Sequence, residues 1–539
     1  MRGTSGESAG ACGVPSEGEG KGGAMASHKD GKKAAKESGR KKTKPASGKG
    51  TRGHASAPSR AHRAPEGGKG AKQASHQAKS NSPCPVDARC GGCRNLAVPY
   101  KRQLVRKQVA IERLFDGIAD ERALSVIKGM KDPYHYRNKV ISPFAPGKKL
   151  APAPSKAGSG KAQAKGKRPA ARYEILTGMY AAGTHDLVPT DHCLIENEVA
   201  KKVTLAVRDI MRKHGISAYR ESTGTGFMRH AVVRVGHKSG EVLVTLVTNS
   251  DEFPSSKSFC RELLRRCPQV TTVVQNVNER QTNVILGDKE RVLYGPGFIL
   301  DELCGLSFRI SSKSFYQVNA TQTEVLYRCA MDLARFDGTQ TAIDAYCGTG
   351  TIGLVAAKSG AARVIGVDSV EAAIRDAQQN ARHNGIDNAE FVAADATDFM
   401  EGLAREGLPD DAGELVILMD PPRAGSTERF LSAAASLSPA RIVYVSCNPE
   451  TQERDVEFLY DKGYRVVAVQ PVDMFPHTDH IECVVALEPE NSPAARRFED
   501  EDDGESPDES PEEESVGFEG SDELDDSAPV VSPSEEEPR

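Results

Sequence analysis

The chain has 539 residues, of which 27% are charged and 38% hydrophobic, and its formal net charge is −4. That length allows about three or four domains, and the lack of any run of about 18 apolar residues argues against a membrane-spanning helix. Because no apolar signal core is recognisable, the 12 cysteines are expected in the cytoplasm, a reducing compartment. Cysteines there are metal ligands, catalytic thiols or simply buried.

Three segments have low sequence complexity, and the opposite charges that they carry largely cancel in the net charge. Residues 1–82 are rich in Gly, Ser, Ala, Lys and Arg, residues 146–171 in Lys, Ala, Gly and Pro, and residues 490–539 in Glu, Asp, Ser and Pro. None can bury enough apolar area to offset the entropy of ordering, so all three are predicted to be disordered. The basic segments suit non-specific contact with nucleic acid phosphates, or act only as solubilising chain.

Three cysteines are close together in sequence, and a fourth is remote. Cys84, Cys90 and Cys93 precede Cys193 by about a hundred residues. Four thiolates can hold an iron–sulfur cluster or a zinc ion. Zinc knuckles favour two short pairs, and radical enzymes space their cysteines differently. The pattern therefore favours a structural or RNA-contacting cluster, with zinc as the alternative.

Alternating apolar runs fill the middle of the chain. Residues 231–235, 241–247 and 273–277 are typical of antiparallel strands joined by Gly and Asn/Asp turns, which predicts an α+β domain. The preceding run, 131–139, mixes basic and aromatic side chains. Such a mixture holds phosphates and stacks bases, although it also fits the start of an ordinary amphipathic strand.

From about residue 340 the chain alternates short apolar strands with helical stretches. A strand over 341–346 leads into a glycine-rich turn with Gly348 and Gly350, and the next strand ends at Asp368. This order is typical of a nucleotide site, where glycines admit the ligand to the backbone and the acid accepts hydrogen bonds from ribose hydroxyls. A βαβ nucleotide-binding unit is therefore predicted.

Two later strands also end on acids. Asp395 follows one strand at a position that suits an adenine amine, and Asp420 enters a Pro–Pro turn after the next. An acid–Pro–Pro turn there is typical of S-adenosylmethionine-dependent methyltransferases that act on nucleic acids and amides. NAD binding is the competing interpretation. Helix capping alone accounts for one or two of the acids but not for all of them.

A cysteine and a glutamate complete the pattern. Cys447 ends an apolar strand, where a thiol is the strongest nucleophile that proteins carry near neutral pH. Glu482 begins another apolar strand and is the candidate base. A nucleophile and a base at neighbouring strand ends indicate catalysis rather than packing.

Three motifs together resemble the RNA uracil-5-methyltransferases: residues 420–425 (DPPRAG), 444–451 (YVSCNPET) and 474–482 (MFPHTDHIE). The resemblance covers about residues 84–488. It implies a Rossmann-like class I methyltransferase fold of the α/β class, with a mixed, mostly parallel sheet, an α+β central domain and a small iron–sulfur segment. It further implies that Cys447 adds to carbon 6 of uracil and that Glu482 removes the proton from carbon 5.

The resemblance also implies a cofactor and its contacts. S-adenosylmethionine is the expected methyl donor, and Phe315 is expected beside the target base. The residues expected to bind the cofactor are Gln317, Tyr346, Gly348, Gly350, Thr351, Asp368, Asp395 and Asp420.

The cysteine pattern resembles the 4Fe–4S site of the ribosomal RNA branch of this family, with Cys84, Cys90, Cys93 and Cys193 as ligands. This favours 23S rRNA as the substrate. A monomer is expected, since no obligate protein partner is evident in the sequence. Transfer RNA, whose methylating relatives generally lack the cluster, is the alternative substrate. An inactive iron–sulfur assembly factor is a further alternative, which the intact Cys447 and Glu482 oppose.

The sequence thus predicts five regions in order along the chain. They are a basic tail (1–82), an iron–sulfur segment (83–130), a central RNA-contacting domain (131–310, with the loop 146–171), a methyltransferase domain (311–489) and an acidic tail (490–539).

Overall fold

The computed structural model describes residues 82–151, 172–409 and 412–497. Most of the three segments predicted to be disordered therefore lies outside the described residues. Among the described residues, no helix is long and apolar enough to cross a bilayer.

Helix α1 (Tyr100–Leu114) follows the local cysteines and precedes a short 3₁₀ turn at Glu121–Ala123. The helix buries Gln103, Lys107 and Ile111. Residues four apart lie on one helical face, so these three side chains form a single stripe. Two of them are polar, and burial of polar groups requires partners, which lie in residues 473–480.

The central domain is a seven-stranded sheet covered on one face by two helices. The strand order is β3-β2-β1-β4-β5-β6-β7. Its elements are β1 (Lys139–Lys149), β2 (Tyr173–Tyr180), β3 (Leu187–Pro189), α2 (Glu198–His214), β4 (Met228–Val235), β5 (Val242–Thr248), α3 (Ser256–Arg266), β6 (Val270–Val277) and β7 (Lys289–Tyr294).

Two details of this domain differ from the sequence predictions. Strands β5 and β6 pair in parallel rather than antiparallel, because helix α3 connects them and returns the chain to the same end of the sheet. Strand β1 also continues to Lys149 and pairs with β2 as far as Tyr173, so the predicted loop 146–171 begins too early. The apolar runs at 231–235, 241–247 and 273–277 do lie in strands β4, β5 and β6.

The catalytic domain is a second seven-stranded sheet, preceded by the hairpin β8–β9. The strand order is β12-β11-β10-β13-β14-β16-β15. Its elements are β8 (Phe298–Leu303), β9 (Leu306–Ser311), α4 (Ala320–Ala334), β10 (Thr341–Ala345), α5 (Thr351–Lys358), β11 (Arg363–Asp368), α6 (Glu371–His383), β12 (Ala389–Ala393), α7 (Ala396–Glu406), β13 (Leu415–Met419), α8 (Glu428–Ser436), β14 (Arg441–Ser446), α9 (Pro449–Tyr460), β15 (Tyr464–Val472), β16 (Glu482–Pro489) and α10 (Pro493–Arg496).

Strands β10 to β14 are parallel, and β16 is antiparallel to both of its neighbours. The α/β class and the mixed, mostly parallel sheet predicted from the sequence are confirmed. Helix α10 lies at the start of the segment predicted to be a disordered acidic tail, so the first residues of that segment are helical instead. The strand order reverses at β10, and ligands of such sheets bind at the carboxyl ends of the strands beside that reversal.

Candidate active site

The glycine-rich turn after β10 forms an open cradle. Gly348 has φ +56°, and a Cβ built on it would meet no atom within 4 Å. Gly350 has φ +77°, and a Cβ there would lie 2.8 Å from the ring of Phe391. Gly350 is therefore required by packing, whereas Gly348 leaves the space above the turn free for a ligand. Helix α5 begins at Thr351 and directs its amino end towards that space.

Two predicted cofactor acids also bind the backbone. Asp368 accepts hydrogen bonds from the Gly348 N–H (3.0 Å) and the Val370 N–H (2.8 Å). Asp395 is the N-cap of α7, where it accepts from the amides of the next turn. Capping thus explains the position of Asp395 in the free protein. Each carboxylate has further lone pairs, so a role in cofactor binding stays a prediction.

Asp344 is a buried acid of this site that sequence reasoning missed. It lies in β10 directly before the glycine turn, and its Oδ2 accepts a hydrogen bond from the Gly353 N–H (2.7 Å). Burial raises its pKa to about 8. The bond ties the strand to the start of α5, which fixes the shape of the cradle. An acid inside an otherwise apolar strand, just before a glycine-rich turn, could have pointed to it.

Of the other predicted cofactor residues, Tyr346 and Thr351 adjoin the glycine turn, and Gln317 lies in the segment before α4. Thr351 shares a hydrogen bond with the Tyr327 hydroxyl (3.0 Å), and Tyr346 shares one with Ser426 (3.0 Å). The Gln317 carbonyl accepts from the Asn138 side chain (3.2 Å), which joins the central domain to the segment before α4. These contacts hold the residues in place while leaving the side chain of Gln317 half-buried.

Cys447 and Glu482 lie close together at the end of one strand pair. Strands β14 and β16 are antiparallel, and their last pair is Ser446 with Cys483. Cys447 follows the first of these residues and Glu482 precedes the second, and the Glu482 carboxylate acts on the Cys447 thiol. Asp420 follows the neighbouring strand β13. The structure therefore brings together three predicted site residues that are up to 62 positions apart in the sequence (482 − 420).

The environment of this group is acidic and desolvated. Burial, the Glu482 carboxylate and the Asp420 carboxylate raise the pKa of Cys447 to about 11, while Arg423 opposes the shift. Burial and then Asp420 raise the pKa of Glu482 well above its ordinary value. Burial likewise raises the pKa of Asp420 to about 7. Perturbed groups that converge on strand ends are a mark of catalysis.

Arg423 is a second residue whose part in the site was missed. Its charge acts on both Cys447 and Glu482. Its carbonyl accepts hydrogen bonds from the side chains of Asn448 (3.0 Å) and Thr451 (3.2 Å). The Pro–Pro turn is thereby fastened to the loop after Cys447. The motif DPPRAG contains this arginine, but the direction of a side chain in a turn cannot be read from the motif.

Comparison with known proteins decides which reaction this geometry belongs to. The tRNA (uracil-5-)-methyltransferase family model matches residues 288–490. An uncharacterized RNA methyltransferase of Bacillus cereus is 39% identical over 412 residues, which are 76% of this chain and 83% of the relative. One of Halalkalibacterium halodurans is 40% identical, over 76% of this chain and 84% of the relative. The chain belongs to the S-adenosylmethionine-dependent RNA uracil-5-methyltransferases.

A solved relative supports the same assignment for the fold. The tRNA (uracil-54, C5)-methyltransferase of Pyrococcus abyssi, in complex with S-adenosyl-L-homocysteine, is 27% identical with a TM-score of 0.57. The match covers 74% of this chain and 86% of that one. The RNA methyltransferase fold therefore extends well beyond the catalytic sheet.

The catalytic loop of the enzyme, residues 473–482, is braced by helix α1. Gln103 accepts from the His477 N–H (3.0 Å), and Lys107 forms a buried ion pair with Asp473 (2.7 Å). Lys107 also donates to the carbonyl of His480 (2.7 Å). The buried polar stripe of α1 therefore finds its partners in the loop that ends at Glu482.

The aromatic residues of 131–139 also contact the catalytic loop. The ring of Tyr134 stacks on His477 at 5.0 Å between centroids, and the Tyr136 hydroxyl donates to the Pro476 carbonyl (3.0 Å). Tyr134 remains 39% exposed. In the free protein these two aromatic rings thus support the loop, so base stacking by this run stays a prediction.

The four predicted cluster cysteines line a single pocket with mostly apolar neighbours. The Gly92 N–H donates to the Cys90 sulfur (3.4 Å), and burial with the nearby Cys193 and Cys90 raises the pKa of Cys93 to about 12. Among the described residues, no group of three or more potential ligands stands at single-ion spacing. An all-thiol donor set in an apolar pocket, with an amide directed at sulfur, fits an iron–sulfur cluster.

The cysteine segment is also attached to the catalytic loop. The amides of Arg94 and Asn95 donate to the His477 carbonyl (3.0 and 3.1 Å), and the Asn95 side chain donates to Asp479 (2.6 Å). A ligand that orders the residues around Cys93 would therefore also stabilise the loop that ends at Glu482.

Proposed function

We propose that the enzyme methylates carbon 5 of a uridine in 23S rRNA, with Cys447 as the nucleophile and Glu482 as the base. The observation that supports the mechanism is that Cys447 and Glu482 adjoin the last pair of β14 and β16, Ser446 with Cys483, and that the Glu482 carboxylate acts on the Cys447 thiol. Addition at carbon 6 and removal of the carbon 5 proton need a thiolate and a carboxylate close together at one edge of the ring.

The residues act in a fixed sequence in this mechanism. When bound, S-adenosylmethionine would supply the electrophilic methyl group, and the residues of the glycine-rich turn at Gly348 would hold it. The Cys447 thiol gives its proton to water, and the thiolate forms a bond to uracil carbon 6 while the carbon 5–carbon 6 π electrons move into an enolate, which makes carbon 5 nucleophilic. Transfer of the methyl group to carbon 5 would break the sulfur–methyl bond and leave S-adenosylhomocysteine. The Glu482 carboxylate removes the carbon 5 proton, the double bond re-forms, and the bond from carbon 6 to Cys447 breaks to release the thiolate.

The surroundings of Glu482 suit a base of this kind. Its side chain is 3% exposed, and the pKa of such a buried carboxyl lies above its ordinary range because the charged form is desolvated. A base is most effective when its pKa lies near the working pH. Asp420 and Arg423 flank the pair and would fix the uracil ring edge and offset negative charge on it. Extrusion of the target base from its stack costs a few kcal/mol.

The choice of 23S rRNA rests on the four cysteines. We propose that Cys84, Cys90, Cys93 and Cys193 hold a 4Fe–4S cluster. A zinc ion would need the sulfurs about 2.3 Å from one point, whereas a cluster spreads them over several irons. Transfer RNA is the second candidate, favoured by the structural likeness to the Pyrococcus abyssi enzyme.

We expect the anaerobically purified enzyme to contain about four irons per chain and to lose nearly all of them when Cys193 is replaced by alanine. Because the cysteine segment is bonded to the catalytic loop, the variant should also melt at a lower temperature. Iron analysis, visible absorbance and thermal unfolding measure these effects. Cys304→Ala, which removes a half-buried thiol elsewhere, is the control. One zinc per chain and no iron would contradict the cluster.

The substrate is tested with labelled S-adenosylmethionine and two unmodified RNAs. Purified enzyme is incubated with transcripts of 23S rRNA and of tRNA, and the labelled nucleosides are then identified and mapped. Label in 5-methyluridine of 23S rRNA alone supports the proposal. Label in tRNA alone keeps the mechanism and overturns the substrate, and label in any nucleoside other than 5-methyluridine overturns the reaction.

A further inference from the structure

Two cations lie opposite each other on neighbouring strands of the central sheet. Lys139 on β1 is paired directly with Arg234 on β4, so both side chains leave the same face of the sheet. Like charges directly opposite each other in an antiparallel pair are destabilising. In the part of the chain that the structure describes, neither forms an ion pair with a carboxylate.

Burial makes the repulsion between these two cations more unfavourable. Arg234 is 4% exposed, and its Nε has no hydrogen-bond partner among the described residues. Burial and then the neighbouring Arg234 lower the pKa of Lys139 to about 8, and burial lowers the pKa of Arg234 to about 10. Lys139 remains half-buried rather than enclosed, so an external ligand can reach the lysine beside the buried arginine. A buried charge without a partner is strongly unfavourable in the free protein and is relieved by a bound anion.

The pair lies next to the active site. Arg234 donates a hydrogen bond to the Ser314 carbonyl (2.5 Å). The next residue, Phe315, is 66% exposed and its carbonyl accepts from Thr349 in the cofactor turn (3.4 Å). Asn138, beside Lys139, is bonded to the Gln317 carbonyl. An anion held by the pair would therefore lie beside the segment that connects the cofactor cradle to the central domain.

We propose that Lys139 and Arg234 form a binding site for one backbone phosphate of the RNA substrate, close to the target uridine. The inference rests on the proposed function only in taking RNA as the ligand. A phosphate that accepts from the Lys139 ammonium group supplies negative charge beside the buried Arg234 guanidinium. Phosphate contacts position an RNA without reading its sequence. The site would thus set the register of the strand that delivers the uridine.

Lys139→Gln tests the site by removing one of the two charges. We expect RNA affinity to fall about fivefold and the slope of log affinity against log salt to fall by about 0.7 to 0.9, the contribution of one phosphate. Affinity for S-adenosylhomocysteine should not change. The melting temperature of the free protein should stay level or rise, because a like-charge repulsion is removed. Binding is measured on unmodified transcripts of 23S rRNA and tRNA, and Lys139→Arg should restore the slope.

Lys257→Gln is the matched control, since it removes an exposed lysine on α3, on the other side of the sheet. It should leave the slope unchanged. Weaker binding of S-adenosylhomocysteine by Lys139→Gln with an unchanged RNA slope would overturn the proposal and assign the pair to the cofactor carboxylate. A lower melting temperature with no change in either affinity would overturn it in favour of a structural role. This experiment measures binding. Its result can therefore be interpreted even if the enzyme does not methylate the RNA in the methylation assay.

Discussion

Replacing Cys447 by alanine lowers 5-methyluridine formation by at least about four orders of magnitude, because no other group can add to carbon 6. The cysteine is the residue after β14, and alanine there removes the thiol without disturbing the strand pairing. Binding of RNA and of S-adenosylhomocysteine should remain within about threefold of the unmodified enzyme, since neither depends on the covalent bond. Single-turnover methylation and equilibrium binding measure the two effects.

The matched control for this experiment is Cys304→Ala, which removes a half-buried thiol in the turn of the hairpin β8–β9. It should retain methylation close to the unmodified rate. Methylation by Cys447→Ala at more than about a tenth of that rate would remove Cys447 from the mechanism. The reaction would then have to proceed without covalent addition to the ring.

Replacing Glu482 by glutamine allows addition and methyl transfer but stalls elimination, so a covalent enzyme–RNA complex accumulates. The amide cannot accept the carbon 5 proton, and the bond to Cys447 therefore persists. We expect release of methylated RNA to slow by at least about a hundredfold. Denaturing electrophoresis with labelled RNA measures the complex, and labelled S-adenosylmethionine shows whether it contains the new methyl group.

Protein stability distinguishes this effect from misfolding. The folded-state pKa of Glu482 is raised, so its carboxyl favours folding at low pH and opposes folding as the pH rises through the folded pKa. Glutamine carries no charge, so the unfavourable burial of a carboxylate is absent. The variant should therefore melt no lower than the unmodified enzyme at pH 8. Glu450→Gln, at an exposed carboxyl three positions after Cys447, is the control. Free turnover by Glu482→Gln without a covalent complex would assign the proton to another base.

The placement of Cys447 and Glu482 at strand ends was predictable from the sequence, because each adjoins an apolar run. Their register was not predictable, since it depends on β16 inserting antiparallel between β14 and β15. The glycines of the cofactor turn were likewise visible in the sequence. The sequence did not show that packing against Phe391 requires a glycine at position 350, whereas Gly348 borders the open space of the cradle.

Other parts of the site depend on tertiary contacts that no local pattern contains. Asp344 lies inside an apolar strand and reads as part of the core, yet its carboxylate holds the start of α5. Arg423 follows the Pro–Pro turn, and from there its charge acts on Cys447 and Glu482. Gln103 and Lys107 belong to a helix more than 350 positions before their partners in the catalytic loop. Only the folded chain brings such groups together.

Trapping with 5-fluorouridine tests the central claim most directly. RNA that contains this base is incubated with the enzyme and S-adenosylmethionine, digested, and analysed by mass spectrometry. Fluorine at carbon 5 cannot be removed as a proton is, so addition and methyl transfer proceed while elimination is blocked. The account predicts a methylated fluorouridine nucleotide bonded to the peptide that contains Cys447. A bond to a different cysteine, or complete methylation of control RNA with no bonded peptide from fluorinated RNA, would contradict it.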